Sequence, residues 1–246
     1  MSRPPAQAPG EPASPSPPPL LQVEGLTLTT GNGLVCGPLE LAVRPGETAL
    51  VLVEDLEILR RLMKCCLAFE RPDSGRLSWW PGAVPAEAGE SDWAGYDFFR
   101  QIGYVDRLSQ LLAHWTLLDH FRFFQLYSRR TEDPEAGPRL LAKLGLDKIE
   151  NTLAEDLPEP TRRLALYALA LFQRPRLMLL ERPLQFLDRD FGLTWDVILD
   201  QSRTEGLAVV VFDRARAPYE ADAFHHRADF TIGGRPFELP ATRDFS

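Results

Sequence analysis

From Leu21 to Leu28 apolar and polar side chains alternate with the period of a half-buried strand, and Gly31-Asn32-Gly33 then turns the chain. Leu39-Glu40-Leu41-Ala42-Val43 predicts a second strand of the same kind, and Arg44-Pro45-Gly46-Glu47 is turn chemistry. Thr48 to Val53 is an almost uninterrupted apolar run, the mark of a strand covered on both faces, which belongs in a sheet centre. From Leu56 to Phe69, the residues Leu56, Leu59, Met63, Cys66 and Leu67 recur at helical spacing, and Arg71-Pro72-Asp73-Ser74-Gly75 stops the helix. Residues 81–98, rich in Pro, Gly, Ala and Glu, predict a loop, and Ile102 to Val105 a short strand beyond it. Helices are predicted over Leu111–Tyr127, Pro138–Leu146, Thr161–Gln173 and Leu193–Arg203; the last two precede the apolar strands Leu177–Leu180 and Leu207–Phe212. Strands alternating with helices imply parallel pairing and an α/β fold. No internal repeat is visible.

Composition narrows the classes. With 246 residues and 44% hydrophobic content the chain can build one α/β domain with a real core. Its 27 basic against 35 acidic residues, a formal charge of −8, argue against a surface made to neutralise phosphate backbones, so no nucleic-acid partner is expected. The longest uncharged apolar run, Leu164 to Phe172, is far short of the ~20 residues that span a bilayer, so no direct membrane insertion is expected. Met1 is followed by Ser, Arg and prolines rather than by a secretory h-region. Of the cysteines, Cys36, Cys65 and Cys66, two are sequence neighbours; this excludes a disulfide framework, fits a reducing cytosol and offers no metal set. Eight of the 22 prolines lie in residues 1–19, which predicts a disordered Pro-rich tail whose Pro15-Ser16-Pro17-Pro18 has polyproline II character. The domain itself is expected over 20–240, with 241–246 as a C-terminal tail.

The framework residues carry a resemblance. Arg44-Pro45-Gly46-Glu47 precedes the first core strand, Arg71-Pro72-Asp73-Ser74-Gly75 follows the first helix, and Ile102-Gly103-Tyr104-Val105 comes next. Leu117-Leu118-Asp119, Arg174-Pro175-Arg176 with Leu177 to Leu180, Pro183, Leu187-Asp188 and the strand Ala208 to Val211 complete the order. From Leu21 to about Gly234 the chain resembles the nucleotide-binding subunit of an ATP-binding cassette (ABC) transporter. The resemblance implies an ABC-ATPase-like α/β fold: a mixed sheet core, an antiparallel β subdomain and a helical subdomain over about 108–173.

The positions that would carry the family's chemistry hold other residues. A phosphate-binding loop uses glycine amides, a lysine and a Ser or Thr hydroxyl. Counting back from Arg71-Pro72, its glycine positions hold Val53, Leu56 and Ile58, its lysine Leu59 and its hydroxyl Arg60, while Glu54, Asp55 and Glu57 add carboxylates. Arg60 and Arg61 could bind phosphate in a new way or form a solvated helix face. Thr30 stands where a ring would stack on adenine, and Arg107, preceded by Asp106, stands for the glutamine that senses metal and phosphate. The metal-holding carboxylate remains as Glu181, the general base after it is Arg182, and the switch histidine is Asp213. His114, His120, His225 and His226 suggest no catalytic pair. The signature loop reads Leu157-Pro158-Glu159-Pro160-Thr161, where Pro158 and Pro160 lack an N–H and Glu159 adds negative charge; ordinary N-terminal helix chemistry explains the same residues.

These substitutions, in a chain whose strands and turns persist, lead to the expectation of a pseudo-ATPase, not an enzyme, with no catalytic residue, cofactor or metal. The expected role is a structural or regulatory component of a membrane transport complex, cytoplasmic and peripheral at the inner face of the cell membrane. Its expected partners are a transmembrane permease and an intact ABC ATPase or a second copy of itself. Within Leu108–Phe124, where the resemblance places permease docking, Leu111, Leu112, Trp115, Phe121, Phe123 and Phe124 are the docking candidates. A soluble interaction or regulatory protein on an ABC scaffold and an ABC ATPase with residual nucleotide binding are the alternatives.

Overall fold

The computed structural model describes residues 17–81, 83, 97–128, 133–183, 191–214 and 224–233. Among them, the strands are β1 (Leu21–Thr29), β2 (Val35–Val43), β3 (Thr48–Val53), β4 (Ser74–Trp79), β5 (Ile102–Val105), β6 (Leu177–Glu181), β7 (Ala208–Asp213) and β8 (His226–Phe230). The helices are α1 (Leu56–Cys66), α2 (Leu117–Ser128), α3 (Ala136–Lys143), α4 (Glu159–Phe172) and α5 (Phe191–Glu205). Parallel and antiparallel pairings segregate into two sheets: an antiparallel one ordered β2-β1-β4, and a five-stranded one ordered β5-β6-β7-β3-β8 whose neighbours all run parallel. A bridge between Cys36 and Ile232 joins them, with Gly37 N–H donating to the Thr231 carbonyl at 2.9 Å.

The apolar runs of β3, β6 and β7 are explained by two cores, one on each face of the parallel sheet. Ala49, Val51, Val53, Leu177, Leu179, Val210 and Phe212 point to the side covered by α1 and the antiparallel sheet. Their neighbours Leu50, Leu52, Met178, Leu180, Val209 and Val211 point to the side covered by α2, α3 and α4. A strand whose alternate residues both meet a core has no polar phase.

Several boundaries differ from the sequence reading. β2 starts at Val35 because Cys36 and Val35 pair with Leu28 and Thr29 across the hairpin. The helix expected from Leu111 begins only at Leu117: Thr116 and Asp119 cap it reciprocally, Thr116 N–H donating to Asp119 Oδ2 and Asp119 N–H to Thr116 Oγ1, both at 3.1 Å. β4 and β8 are additional, and β8, which carries His226, Arg227 and Asp229, has no strand-like alternation because it is an edge. Phe98, at the end of the expected loop, is buried and stacks on Trp80 with ring centroids 5.5 Å apart. Residues 1–16, 84–96, Leu187-Asp188 and 241–246 lie outside the described residues, and with them all but 17–19 of the expected N-terminal tail and the whole expected C-terminal tail.

Candidate functional site

The turn between β3 and α1 is built by Asp55. Its Oδ1 accepts from the amides of Glu57 at 2.7 Å and Ile58 at 3.0 Å, the N-cap arrangement that satisfies the free donors of a helix start. Val53, Ile58 and Leu59 are fully buried in the core, so no cation emerges at the Leu59 position. Arg61 turns from the helix start: its Nε pairs with Glu70, and its other nitrogens donate to the Thr29 carbonyl at 2.7 Å and Asp73 Oδ1 at 3.1 Å. Arg61, first, and then the Thr29 N–H hold the Asp73 carboxyl below its usual range. Arg61 therefore ties α1 to β1 and the turn before β4. The Thr30 hydroxyl closes its own turn, accepting from Leu34 N–H at 2.9 Å.

The ends of β6 and β7 bring Arg182 and Asp213, far apart in sequence, to 3.7 Å (Nε to Oδ1). Arg182 holds a left-handed φ of 47° while its N–H donates to the Phe212 carbonyl at 2.8 Å. Glu181 is buried; its Oε2 accepts from the Arg107 N–H at 3.1 Å, and its Oε1 has no hydrogen-bond partner among the described residues. Arg163, buried on α4, donates to the carbonyls of Asp106 and, at 2.9 Å, Arg107. At the start of α4, Pro158 is the cap residue with no side-chain cap bond, and Pro160 lies in the first turn. Glu159 Oε2 accepts from Arg162 at 2.9 and 3.1 Å, so this carboxylate is engaged within its own helix. That favours the N-terminal helix reading of Pro158-Glu159-Pro160.

Beyond β5, the carboxylate of Asp106 accepts from the amides of Leu108 at 3.0 Å and Ser109 at 2.6 Å, a tight side-chain turn. A cleft of about 290 Å³ opens beside it, with Arg107, Leu111, Glu155 and Arg162 in its wall. The docking candidates divide. Phe121 is only 2% exposed and meets Phe172 edge-on at 5.0 Å, so it is a core residue and no docking group. Its place four residues after the buried Leu117 on one helix face is the signal that separates it. Leu111 and Phe124 are half-buried against the helical core, and Trp115 meets Phe123 at 5.4 Å. Leu112 (54%) and Phe123 (43%) are exposed, and the structure adds Leu108 (67%) and Leu126 (82%).

Together these elements define an ABC-ATPase fold. One solved neighbour, a dimeric post-hydrolysis state of an ATP-binding cassette bound to ADP and Pi, superposes with TM-score 0.70 at 15% identity, covering 88% of this chain and all of its own. Another, the ADP conformation of an ATP-binding cassette of an ABC transporter, gives 0.68 at 15% identity over 87% of this chain and 89% of that one. Among curated relatives, the cytochrome c biogenesis ATP-binding export protein CcmA of Cupriavidus necator is 25% identical over 193 residues, 78% of this chain and 82% of its own. The lipoprotein-releasing system ATP-binding protein LolD of Chromohalobacter salexigens is 29% identical over 176 residues, 69% and 73% of the two chains. No protein-family model matches the chain.

These relatives correct one expectation. Each is named as an ATP-binding protein, and a structural neighbour is caught after hydrolysis with ADP and Pi, so the likeness points to an enzyme subunit and the reading as a non-enzymatic pseudo-ATPase does not stand. The local residues remain as described. The loop from Val53 to Leu59 does not fit a triphosphate in a glycine cradle, because Asp55 takes the Glu57 and Ile58 amides and the side chains of Val53 and Ile58 fill the wall. No reaction step is derived through that loop.

Proposed function

We propose that this chain is the cassette subunit of a membrane transport complex, seated on a transmembrane permease at the cytoplasmic face and paired with a second cassette, either an ABC ATPase or another copy of itself. The observation that carries the proposal is the exposed apolar face of Leu108, Leu112, Phe123 and Leu126 beside a mixed-charge cleft, on a fold shared with ABC subunits. Among the described residues no helix is long and apolar enough to cross a membrane, which suits a subunit that reaches the bilayer through a partner. On this reading, Val53, Leu56, Ile58, Leu59 and Arg60, with Glu181, Arg182, Asp213 and Pro158-Glu159-Pro160, hold the places that face nucleotide in a cassette. What occupies them is internal pairing: Asp55 on the helix start, Arg182 with Asp213, Glu159 with Arg162.

The test is co-expression with a candidate transmembrane permease from the same organism. The wild type is expected to co-purify with it, and the Leu112→Asp, Leu126→Asp double variant to lose most of that association. Both residues are exposed, so folding stability should change by no more than about 0.5 kcal/mol per site. Equal recovery of permease with both proteins would remove this face from the proposal.

A further inference from the structure

His120 lies on the inner side of α2, only 4% exposed, and both of its ring nitrogens are engaged. Nε2 accepts from the Leu112 N–H at 2.9 Å; this identifies Nε2 as the unprotonated nitrogen and Nδ1 as the donor to the Thr116 carbonyl at 2.7 Å. The ring thus bonds the two ends of the Leu112–Thr116 segment, and Trp115 meets its edge at 5.5 Å. At the other end of the same loop, Arg163 and Glu181 grip the backbone of Asp106 and Arg107. The residues between these anchors carry Leu108 and Leu112, half of the exposed apolar face.

We propose that neutral His120 is the positioning residue that holds Leu112 and the loop edge of the docking face in place, and that its protonation releases that edge. A protonated ring has no lone pair at Nε2, so the Leu112 N–H would face an N–H donor and the segment must move away. Burial, the largest influence, pushes the His120 value below its ordinary range, against the Thr116 carbonyl and the Asp119 carboxylate, which favour the proton. Asp119 is in turn 3.9 Å from Arg122, and on the loop side the His114–Glu155 pair, 3.1 Å apart, stands outward. Because the folded value is depressed, neutral His120 supports the loop fully above the unfolded value of about 6.5 and loses that support as pH falls through the folded value. The consequence for docking rests on the proposed function; the release itself does not.

The test uses the isolated full-length chain. Amide exchange, corrected for intrinsic rates, is followed at Leu112 from pH 8 to pH 5, with the His120 ring nitrogens read by NMR in the same samples. The expected result is an Nδ1–H ring at neutral pH and a fall of about tenfold or more in Leu112 protection as the ring takes its proton, while α4 amides stay protected. His120→Gln, whose carbonyl can still accept from Leu112, should keep protection at both ends of the range; His120→Leu should lack it at both. Leu112 protection that stays constant while the ring titrates would overturn the proposal. So would loss of all protection together, because His120 would then be part of global unfolding. No permease is present, so failure of co-purification leaves this result intact, and failure here leaves the docking face standing without its switch.

Discussion

At the scale of single residues, two glycines with the same backbone angle separate conformation from crowding. Gly33 and Gly75 both hold φ +84°, but a Cβ on Gly33 would meet open space, whereas one on Gly75 would lie 2.4 Å from the Gly25 carbonyl oxygen. Gly33→Ala should cost about 1 kcal/mol from the left-handed angle alone, and Gly75→Ala at least ~2 kcal/mol more, because β4 must leave β1 to admit the methyl. Urea unfolding of the two variants checks the difference. Asp73 supplies a pH prediction. Its carboxyl is held low by Arg61 and the Thr29 amide, so its contribution is present above the ordinary carboxylate range and lost as pH falls through the depressed folded value. Asp73 is partly exposed, and water weakens the pair, but the direction is defined. The stability of Asp73→Asn should therefore fall less steeply than that of the wild type below about pH 4, in acid titrations followed by circular dichroism.

At the scale of elements, the sheet centre and the helix starts bear different loads. β6 is buried from Leu177 to Glu181, and Leu179 sits with β7 on one side and β5 on the other. Leu179→Ala removes buried volume that neither neighbour can refill and should cost about 2–5 kcal/mol in equilibrium unfolding. Asp55→Ala leaves the Glu57 and Ile58 amides without their acceptor and should cost about 1 kcal/mol, measured the same way. A cost near zero would mean that water replaces the cap at no penalty and that the α1 start is more open than it stands here. The β3–α1 junction was legible in sequence as strand, acidic turn and helix. That Asp55, rather than Glu54 or Glu57, reaches the amides was not, since only backbone geometry chooses among adjacent carboxylates.

For the whole molecule, two cores flank one parallel sheet, and the cysteines report on the first of them. Cys36, Cys65 and Cys66 are all buried, with burial the main force raising each thiol, Cys65 to about 12. The thiolate is the reactive form, so the folded chain should be inert to an aromatic disulfide reagent at pH 8, and all three thiols should react together on unfolding. Reaction of one thiol in the native protein would show local opening of α1 or β2. The hydrophobic pattern by itself determined the α/β class, the central strands and the helix positions, because periods of two and 3.6 residues are local properties of the chain. The edge strands β4 and β8 exist only because β1 and β3 offer hydrogen-bonding edges, which no local period encodes. The tertiary structure alone paired Arg182 with Asp213 and set His120 against Leu112. Burial, ion pairing and tautomer depend on what a distant segment brings within a few ångströms, and that distance is written only in the folded chain.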